Sequence, residues 1–491
     1  MMLITEPIIV DTILLMRIFS LFCLVASLAL AQSISIVKGP VDYQVYQRGS
    51  DGKADIPMEL SVTNGDGKNV FVSLKRGIVP VAGFIAYELG KVENQKLIGV
   101  LKGVPAGGPY RVELRTSRMG SAITARSNVL VGDIWLMVGQ SNMEGVGDLI
   151  DVEKPSDRVN SFNQSDEWVE AKEPLHELPS AADRVHWRKN AAGELERLTG
   201  GGLEKFRTER KKGAGLGLPF AIEYEKRTGV PVGLFPSAHG GTSMAQWSPA
   251  LKDKAGDSLY GATIRRAALV GKIKGILWYQ GESDANPIAS AVFQDKFEQM
   301  VAAFRQDLDQ PDLAFHYVQI GRHVNAQNMA QWNRVQEAQR LSESRLGNSV
   351  MFSAIDSDLD DGIHVSTLDL KRLGRGMAGV AAGKLKKGPH VAAISVEGQT
   401  VRVKYSEVNG KLTSAGRVGG FTALTPQGDE LPLFYKVTMD PKDPASVLLH
   451  FQGKLPDGAM LSYGYGKNPY ANLRDEAGLG APVFGPLMIQ K

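Results

Sequence analysis

Cysteine is almost missing from this chain of 491 residues, which contains one, Cys23. It lies inside an apolar stretch near the amino terminus. A chain starting after that stretch would have neither a disulfide nor a thiolate metal ligand, and its stability must come from packing. An excess of one charge is missing too. With 56 Lys and Arg against 53 Asp and Glu, the net charge is +3. So small a value on a chain of this size does not point to nucleic acid or an anionic membrane as a partner. No apolar run reaches the roughly 20 residues that span a bilayer, and no internal repeat is evident. The apolar share of 43% and charged share of 22% are those of a globular protein. The length implies more than one folded unit.

Met16-Arg17, the apolar stretch Ile18 to Leu30 and the small-residue site Ala29-Leu30-Ala31 form the charged, apolar and small-residue pattern of a secretory signal. Residues 1–31 are therefore expected to be a signal peptide, leaving a secreted or periplasmic protein with no membrane association after cleavage. Glu6 and Asp11 are acidic residues that a leader avoids, which makes Met16 an alternative start. Loss of one cation (Arg17) and two anions (Glu6, Asp11) would move the net charge from +3 to +4.

Beyond the leader the patterning changes twice. Short alternating runs such as Tyr110 to Arg115, separated by turn clusters like Asn64-Gly65-Asp66-Gly67, predict a β-sandwich-like module over 32–127. Over 128–386, strand-length apolar runs (Ile134 to Val138, Val232 to Phe235, Ile276 to Tyr279, Phe315 to Ile320) alternate with helical stretches such as Val292 to Asp307. That alternation predicts an α/β domain, a parallel sheet covered on both faces to give three layers, α/β/α. Alternation without helices returns over 387–491 and predicts a second β module. The polar segment Asp151 to Lys212, with its mixed-charge run Glu204 to Lys212, reads as a solvated helix face, with a lid as the less favoured reading.

The apolar strand Ile134 to Val138 runs into Gly139-Gln140-Ser141-Asn142-Met143, which places Ser141 at a strand's carboxyl end, where open α/β sheets build their sites. A serine needs a base to take its proton and a third group to orient that base. Of the eight histidines, His176, His186, His316, His323, His390 and His450 lack a suggestive neighbourhood. His364 sits in Asp360-Asp361-Gly362-Ile363-His364, between the apolar Val350 to Ile355 and a helical stretch from Leu368 to Ala382. An aspartate three residues earlier on one short loop can reach the far ring nitrogen. Oxyanion donors could come from Pro236 to Ser243, with its Gly240-Gly241 pair, or from Gln280-Gly281-Glu282-Ser283-Asp284, each following a strand. Glu144 beside Ser141 reads as support for the nucleophile loop. Trp247, Trp278 and Trp332 are candidates for stacking on the face of a ligand ring, with buried packing the default for Trp278.

Four blocks in this order, Gly-Gln-Ser-Asn-Met, Gly-Gly-Thr, Trp-Tyr-Gln-Gly-Glu-Ser and Asp-Gly-Ile-His, resemble the SGNH hydrolases. The resemblance is to their carbohydrate acetylesterase branch, which includes sialate O-acetylesterases and some acetylxylan esterases. The tail Leu461 to Leu479 is similar as well. The resemblance implies that 128–386 is the catalytic domain, with Ser141 as nucleophile, His364 as base and Asp361 as its orienting carboxylate. It implies an oxyanion hole of the Ser141 N–H, the Gly241 N–H and the Gln280 side chain, with Gln140, Asn142 and Glu282 as supporting or substrate-contacting residues. No cofactor and no metal are implied. Gln280 stands where the family name refers to asparagine, and Asp361-Gly-Ile-His364-Val365 is closer to acetylxylan-type members than to the Asp-Ile-His-Pro of sialate O-acetylesterases. The implied partner is an acetylated carbohydrate. The implied reaction is removal of its O-acetyl groups through an acetyl-enzyme, and it requires a neutral imidazole, so activity should fall on the acid side. Alternatives are an acetylxylan or other polysaccharide acetylesterase, a non-catalytic sugar-binding protein, and a lipase or thioesterase of the same fold.

Overall fold

The computed structural model describes residues 32–327, 329–466 and 468–490. The expected leader, residues 1–31, lies outside the described residues. Two compact units are present. The first comprises residues 32–41, 55–104 and 110–127; the second comprises 42–54, 105–109 and the chain from 128 onward.

The first unit is built from antiparallel pairs. Strand Asn69–Arg76 pairs with Tyr87–Lys91 and with residues 110–115. Strand Lys53–Thr63 alternates buried and exposed residues along its length, Ile56, Met58, Leu60 and Val62 being buried. That period of two is the mark of a strand with one face on a core.

The second unit is organised by a parallel sheet. Its strands are β1 (Thr124–Gly139), β2 (Val159–Phe162), β3 (Trp168–Glu170), β4 (Val232–Pro236), β5 (Gly275–Tyr279), β6 (Ala314–Gln319) and β7 (Ser349–Ser353), in the order β3-β2-β4-β1-β5-β6-β7. All neighbours are parallel except β3, which runs antiparallel to β2. β4 and β5 flank β1, so the chain passes from one side of β1 to the other between them. Strands β4 and β5 are buried at every residue, which explains why they read as continuous apolar runs. The helices are α1 (Ser141–Glu144), α2 (Gly200–Glu209), α3 (Gly217–Thr228), α4 (Leu259–Val270), α5 (Phe293–Asp307), α6 (Met329–Ser342) and α7 (Thr367–Ala381). Ser258 caps α4 through Gly261 N–H, and Ser366 caps α7 through Asp369 N–H.

Two stretches differ from the expected boundaries. Residues 42–54 and 105–109 belong to the second unit, although their patterning placed them in the amino-terminal module. The physical reason is on β1: Val45–Gln47 pairs with its Leu130 to Gly132, and Arg48 meets the buried Asp133 at 2.8 Å. Asp133 also accepts from the Tyr224 hydroxyl at 2.9 Å, so its charge is compensated on several sides. The polar segment contributes β2 and β3 to the sheet. The part of its mixed-charge run from Glu204 to Glu209 lies on α2, which buries no residue, while Lys212 opens the short strand Lys212–Ala214.

Among the described residues, the chain from 390 onward forms strands without helices. One four-stranded sheet holds His390–Glu397, Thr400–Ser406, Ser446–Phe451 and Phe434–Met439; another holds Glu430–Leu431, Phe421–Leu424, Met460–Tyr463 and Phe484–Met488. These strands share an apolar cluster that includes Val403, Leu449, Leu461 and Phe484, separate from the cluster around the parallel sheet. Among the described residues, no helix is long and apolar enough to cross a membrane.

Candidate active site

The loops that leave the carboxyl ends of β1, β4, β5 and β7 are hydrogen-bonded to one another. β1 ends at Gly139, whose φ is +137°, and a Cβ there would lie 2.2 Å from the Tyr279 carbonyl oxygen of β5. Only glycine allows so close an approach. The next residue, Gln140, donates its backbone N–H to that same carbonyl at 2.9 Å, and its Oε1 accepts from Ser283 N–H at 3.3 Å. Ser141 then opens α1, a single turn closed by Gly145 N–H on the Ser141 carbonyl. Ser141 itself is half-buried, between the buried Gln140 and Asn142.

The β4 loop lies against this turn. His239 N–H donates to the Gly139 carbonyl at 3.0 Å, and Gly240 N–H donates to Glu144 Oε2 at 2.7 Å. Gly241 follows with a φ of +69° and is exposed. Among the described residues, the N–H groups of Ser141 and Gly241 carry no hydrogen bond. The Gln280 amide is engaged. Its Nε2 donates to the Thr242 carbonyl at 3.1 Å and to Asp284 Oδ2 at 2.6 Å, while its buried Oε1 has no partner among the described residues. Asp284 Oδ2 also accepts from Met244 N–H at 2.9 Å. Gln280 and Asp284 therefore hold the loop that carries Gly241 just beyond it, at Thr242 and Met244.

The β7 loop brings His364 and Asp361. His364 Nδ1 donates to Asp361 Oδ2 at 2.7 Å, and Asp361 Oδ1 accepts the N–H groups of Ile363 (3.0 Å) and His364 (2.9 Å). Asp361 rather than Asp360 faces the ring; Asp360 accepts from Asp148 N–H and Thr367 N–H instead. Asn142 connects the two halves. Its Oδ1 accepts Val365 N–H at 3.0 Å and its Nδ2 donates to Glu282 Oε1 at 2.8 Å.

Partial burial works to raise the Asp361 carboxyl. The Ile363 N–H, the His364 ring and N–H, and Lys212 outweigh it and hold the group well below the usual carboxylate range. Burial pushes the Glu144 and Glu282 carboxyls up; the Gly240 N–H, then Arg210 and His364, pull Glu144 back, and the Asn142 amide, then its own backbone N–H and His364, pull Glu282 back. The imidazole thus lies in the field of three carboxyl groups, of which the one it touches is the most firmly ionised.

The three tryptophans are buried rather than presented as platforms. Trp247 donates to Thr242 Oγ1 at 3.0 Å, Trp332 donates to the Gly321 carbonyl at 2.9 Å, and Trp278 is fully enclosed. Three features had no signal in the sequence. Lys212, at the end of the polar segment, reaches Asp361 Oδ2 at 3.1 Å. His323, after β6, senses both Asp361 and His364 electrostatically and packs on Trp332. The buried His186 stacks on the half-buried His239 of the glycine loop, with their Nδ1 atoms 3.1 Å apart.

An α/β sheet with serine, histidine and aspartate on loops at its strand ends has the parts of a serine hydrolase. The model of the carbohydrate esterase, sialic acid-specific acetylesterase family matches residues 131–382, just over half of the chain. The chain belongs to that family, and its homologues there are carboxylic ester hydrolases. It is 26% identical over 277 residues to a probable carbohydrate esterase of Arabidopsis thaliana, covering 52% of this chain and 91% of that one. It is 25% identical over 244 residues to the sialate O-acetylesterase of Homo sapiens, covering 45% of this chain and 44% of that one. The chain therefore spans less than half the length of the human relative. A carbohydrate acetylesterase from Xanthomonas citri superposes with a TM-score of 0.60 at 20% identity, over 91% of this chain and 99% of that one, and shares its fold.

Proposed function

We propose that the protein is an exported serine esterase that removes O-acetyl groups from a carbohydrate, working from a three-layer SGNH-type domain flanked by β modules. The observation that carries this reading is the Asn142 bridge, which fixes the Ser141 turn to the His364 loop while Asp361 holds the imidazole at 2.7 Å. Ser141 Oγ attacks the acetyl carbonyl carbon, and His364 takes its proton through the ring nitrogen that Asp361 leaves free. The imidazolium returns that proton to the departing sugar hydroxyl, leaving an acetyl-serine that water cleaves by the same route. The developing oxyanion is met by the N–H groups of Ser141 and Gly241, while Gln280, expected as a third donor, has its amide N–H groups engaged by Thr242 and Asp284 and holds the Gly241 loop instead.

The experiment is acetate release from O-acetylated sialoglycan, acetylxylan and acetylated pectin, each beside Ser141→Ala. Release that the variant loses supports the reading, and release that it retains refutes it. The Asp-Gly-Ile-His form of the last block favours acetylxylan or another polysaccharide as a second reading of the substrate. The ratio of rates on the three polymers decides between them.

A further inference from the structure

We propose that Lys212 is a positioning residue for the base, holding the Asp361 carboxylate and moderating its pull on His364, and that it thereby sets the lower pH limit of activity. The inference rests on the reading of Ser141, His364 and Asp361 as the catalytic relay. Its geometric basis is that Asp361 is fully used. Oδ1 takes two backbone N–H groups, and Oδ2 is shared between His364 Nδ1 at 2.7 Å and Lys212 Nζ at 3.1 Å. A carboxylate bonded this way has one orientation, and the oxygen that meets the imidazole also meets an ammonium.

Lys212 is itself held in place. Its strand, Lys212–Ala214, pairs with Gly147–Asp148, just beyond the α1 turn. Its carbonyl accepts from Arg210 Nε at 2.7 Å, and the same guanidinium donates to the His176 carbonyl at 2.7 Å. The Lys212 ammonium also lies 3.8 Å from Asp148. The long polar segment therefore ends with a cation delivered to the relay, which gives that segment a part in the chemistry.

Other charged groups face the imidazole from each neighbouring element: Glu144 on α1, Glu282 after β5 and His323 after β6. Each of these stays in place when Lys212 is replaced, so the difference between variants isolates one charge. Removing the ammonium leaves Asp361 wholly to the ring and takes away a repelling cation. Both effects favour the imidazolium, so the acid limb of kcat/KM moves to higher pH. The Lys212 and Asp361 side chains are each 37% exposed, so solvent screens the interaction. The expected displacement is about half to one pH unit at low salt, and smaller at high salt.

The test compares wild type, Lys212→Met and Lys212→Arg in the full chain by pH profiles on p-nitrophenyl acetate. The same three proteins, carrying ring-labelled histidine, are titrated by NMR to follow His364 without any turnover. The expected result is an acid limb and a ring titration displaced upward in Lys212→Met and restored in Lys212→Arg. A uniform loss of kcat with an unmoved limb, or no change at all, overturns the inference. If the ring titration moves but Ser141→Ala keeps its activity, the reading of the relay has failed while the electrostatic link to Lys212 stands.

Discussion

Asn142 Oδ1 accepts the Val365 N–H at 3.0 Å, so the residue after the proposed nucleophile is bonded to the residue after the proposed base. These two positions are 223 residues apart in the chain, and one amide side chain fixes their register. The same amide spends its N–H on Glu282, whose second oxygen is buried without a partner among the described residues. Asn142→Ala leaves a backbone donor and a buried carboxyl unanswered. It is expected to lower stability by about 1–3 kcal/mol and to reduce kcat more than it raises KM. Asn142→Asp brings a second carboxyl against Glu282 and should cost more, with the deficit shrinking as pH falls and one of the pair takes a proton. Thermal unfolding at several pH values, beside acetate release, reads both effects. Full turnover in Asn142→Ala would show that the bridge does not hold the relay.

The relay and its surroundings should separate by magnitude. Ser141→Ala removes the attacking atom and is expected to lower kcat by about 10⁴ or more. Gln280→Ala removes the hold on Thr242 and Asp284 and loosens the loop that presents the Gly241 N–H, with an expected loss of about 10² to 10³. Single-turnover rates on an activated acetate measure both. Equal losses in the two variants would place Gln280 in the chemistry itself rather than beside it.

Gly139 carries a prediction about the backbone alone. Gly139→Ala puts a methyl group 2.2 Å from the Tyr279 carbonyl oxygen, with no rotamer to relieve the clash, at a φ of +137°. Strands β1 and β5 must then move apart where Gln140 N–H bonds that carbonyl. A loss of several kcal/mol, seen as insolubility or a much lower Tm, is expected, because this contact is backbone to backbone. A soluble variant with native Tm would show that the strand ends are looser than this geometry requires.

What could be read from the sequence followed from how locally each feature is encoded. The parallel strands announce themselves because a strand buried on both faces must be apolar throughout, as Ile276 to Tyr279 is. The proposed relay residues stand in short blocks at strand ends, where glycine and polar residues abruptly replace apolar ones. β2 stayed hidden because Asn160 and Ser161 sit in its middle. Asn160 is tolerated in the core because its Nδ2 donates to the carbonyls of Tyr43 (2.6 Å) and Asn128 (3.1 Å), partners that no local pattern can reveal. Lys212 was hidden for a related reason. In a run of mixed charges one lysine looks like the others until the fold brings Asp361 to it. The burial of Trp247 and Trp332 likewise depends on contacts made after folding.

Three imidazoles close behind the glycine loop give the fold a pH dependence separate from that of the chemistry. Burial is the largest cause in each case. It lowers His176 from 6.5 to about 3 and His239 from 6.5 to about 4, and holds His186 well below its ordinary value. In the native state all three are neutral at pH 5, whereas the unfolded chain takes up protons below about 6.5. Their contribution to stability is therefore complete above that value and is lost progressively as pH falls toward 4 and then 3. Glu173 works in the opposite sense. Burial lifts it to about 8, so the fold keeps a proton that the unfolded chain releases above about 4.5. Its contribution is present at acid pH and is lost as pH rises through 8. These imidazoles make the unfolding free energy fall as pH drops from 6.5 to 4.5, against the opposite pull of Glu173 and of the Glu144 and Glu282 carboxyls that burial also raises. The slope is steeper than in His186→Phe, which keeps the stacked ring beside His239 but cannot take a proton, and the difference approaches about 1.4 kcal/mol per pH unit. Denaturant titrations at pH 6.5, 5.5 and 4.5 on both proteins measure it, and parallel slopes would mean that His186 is free to take a proton in the folded state.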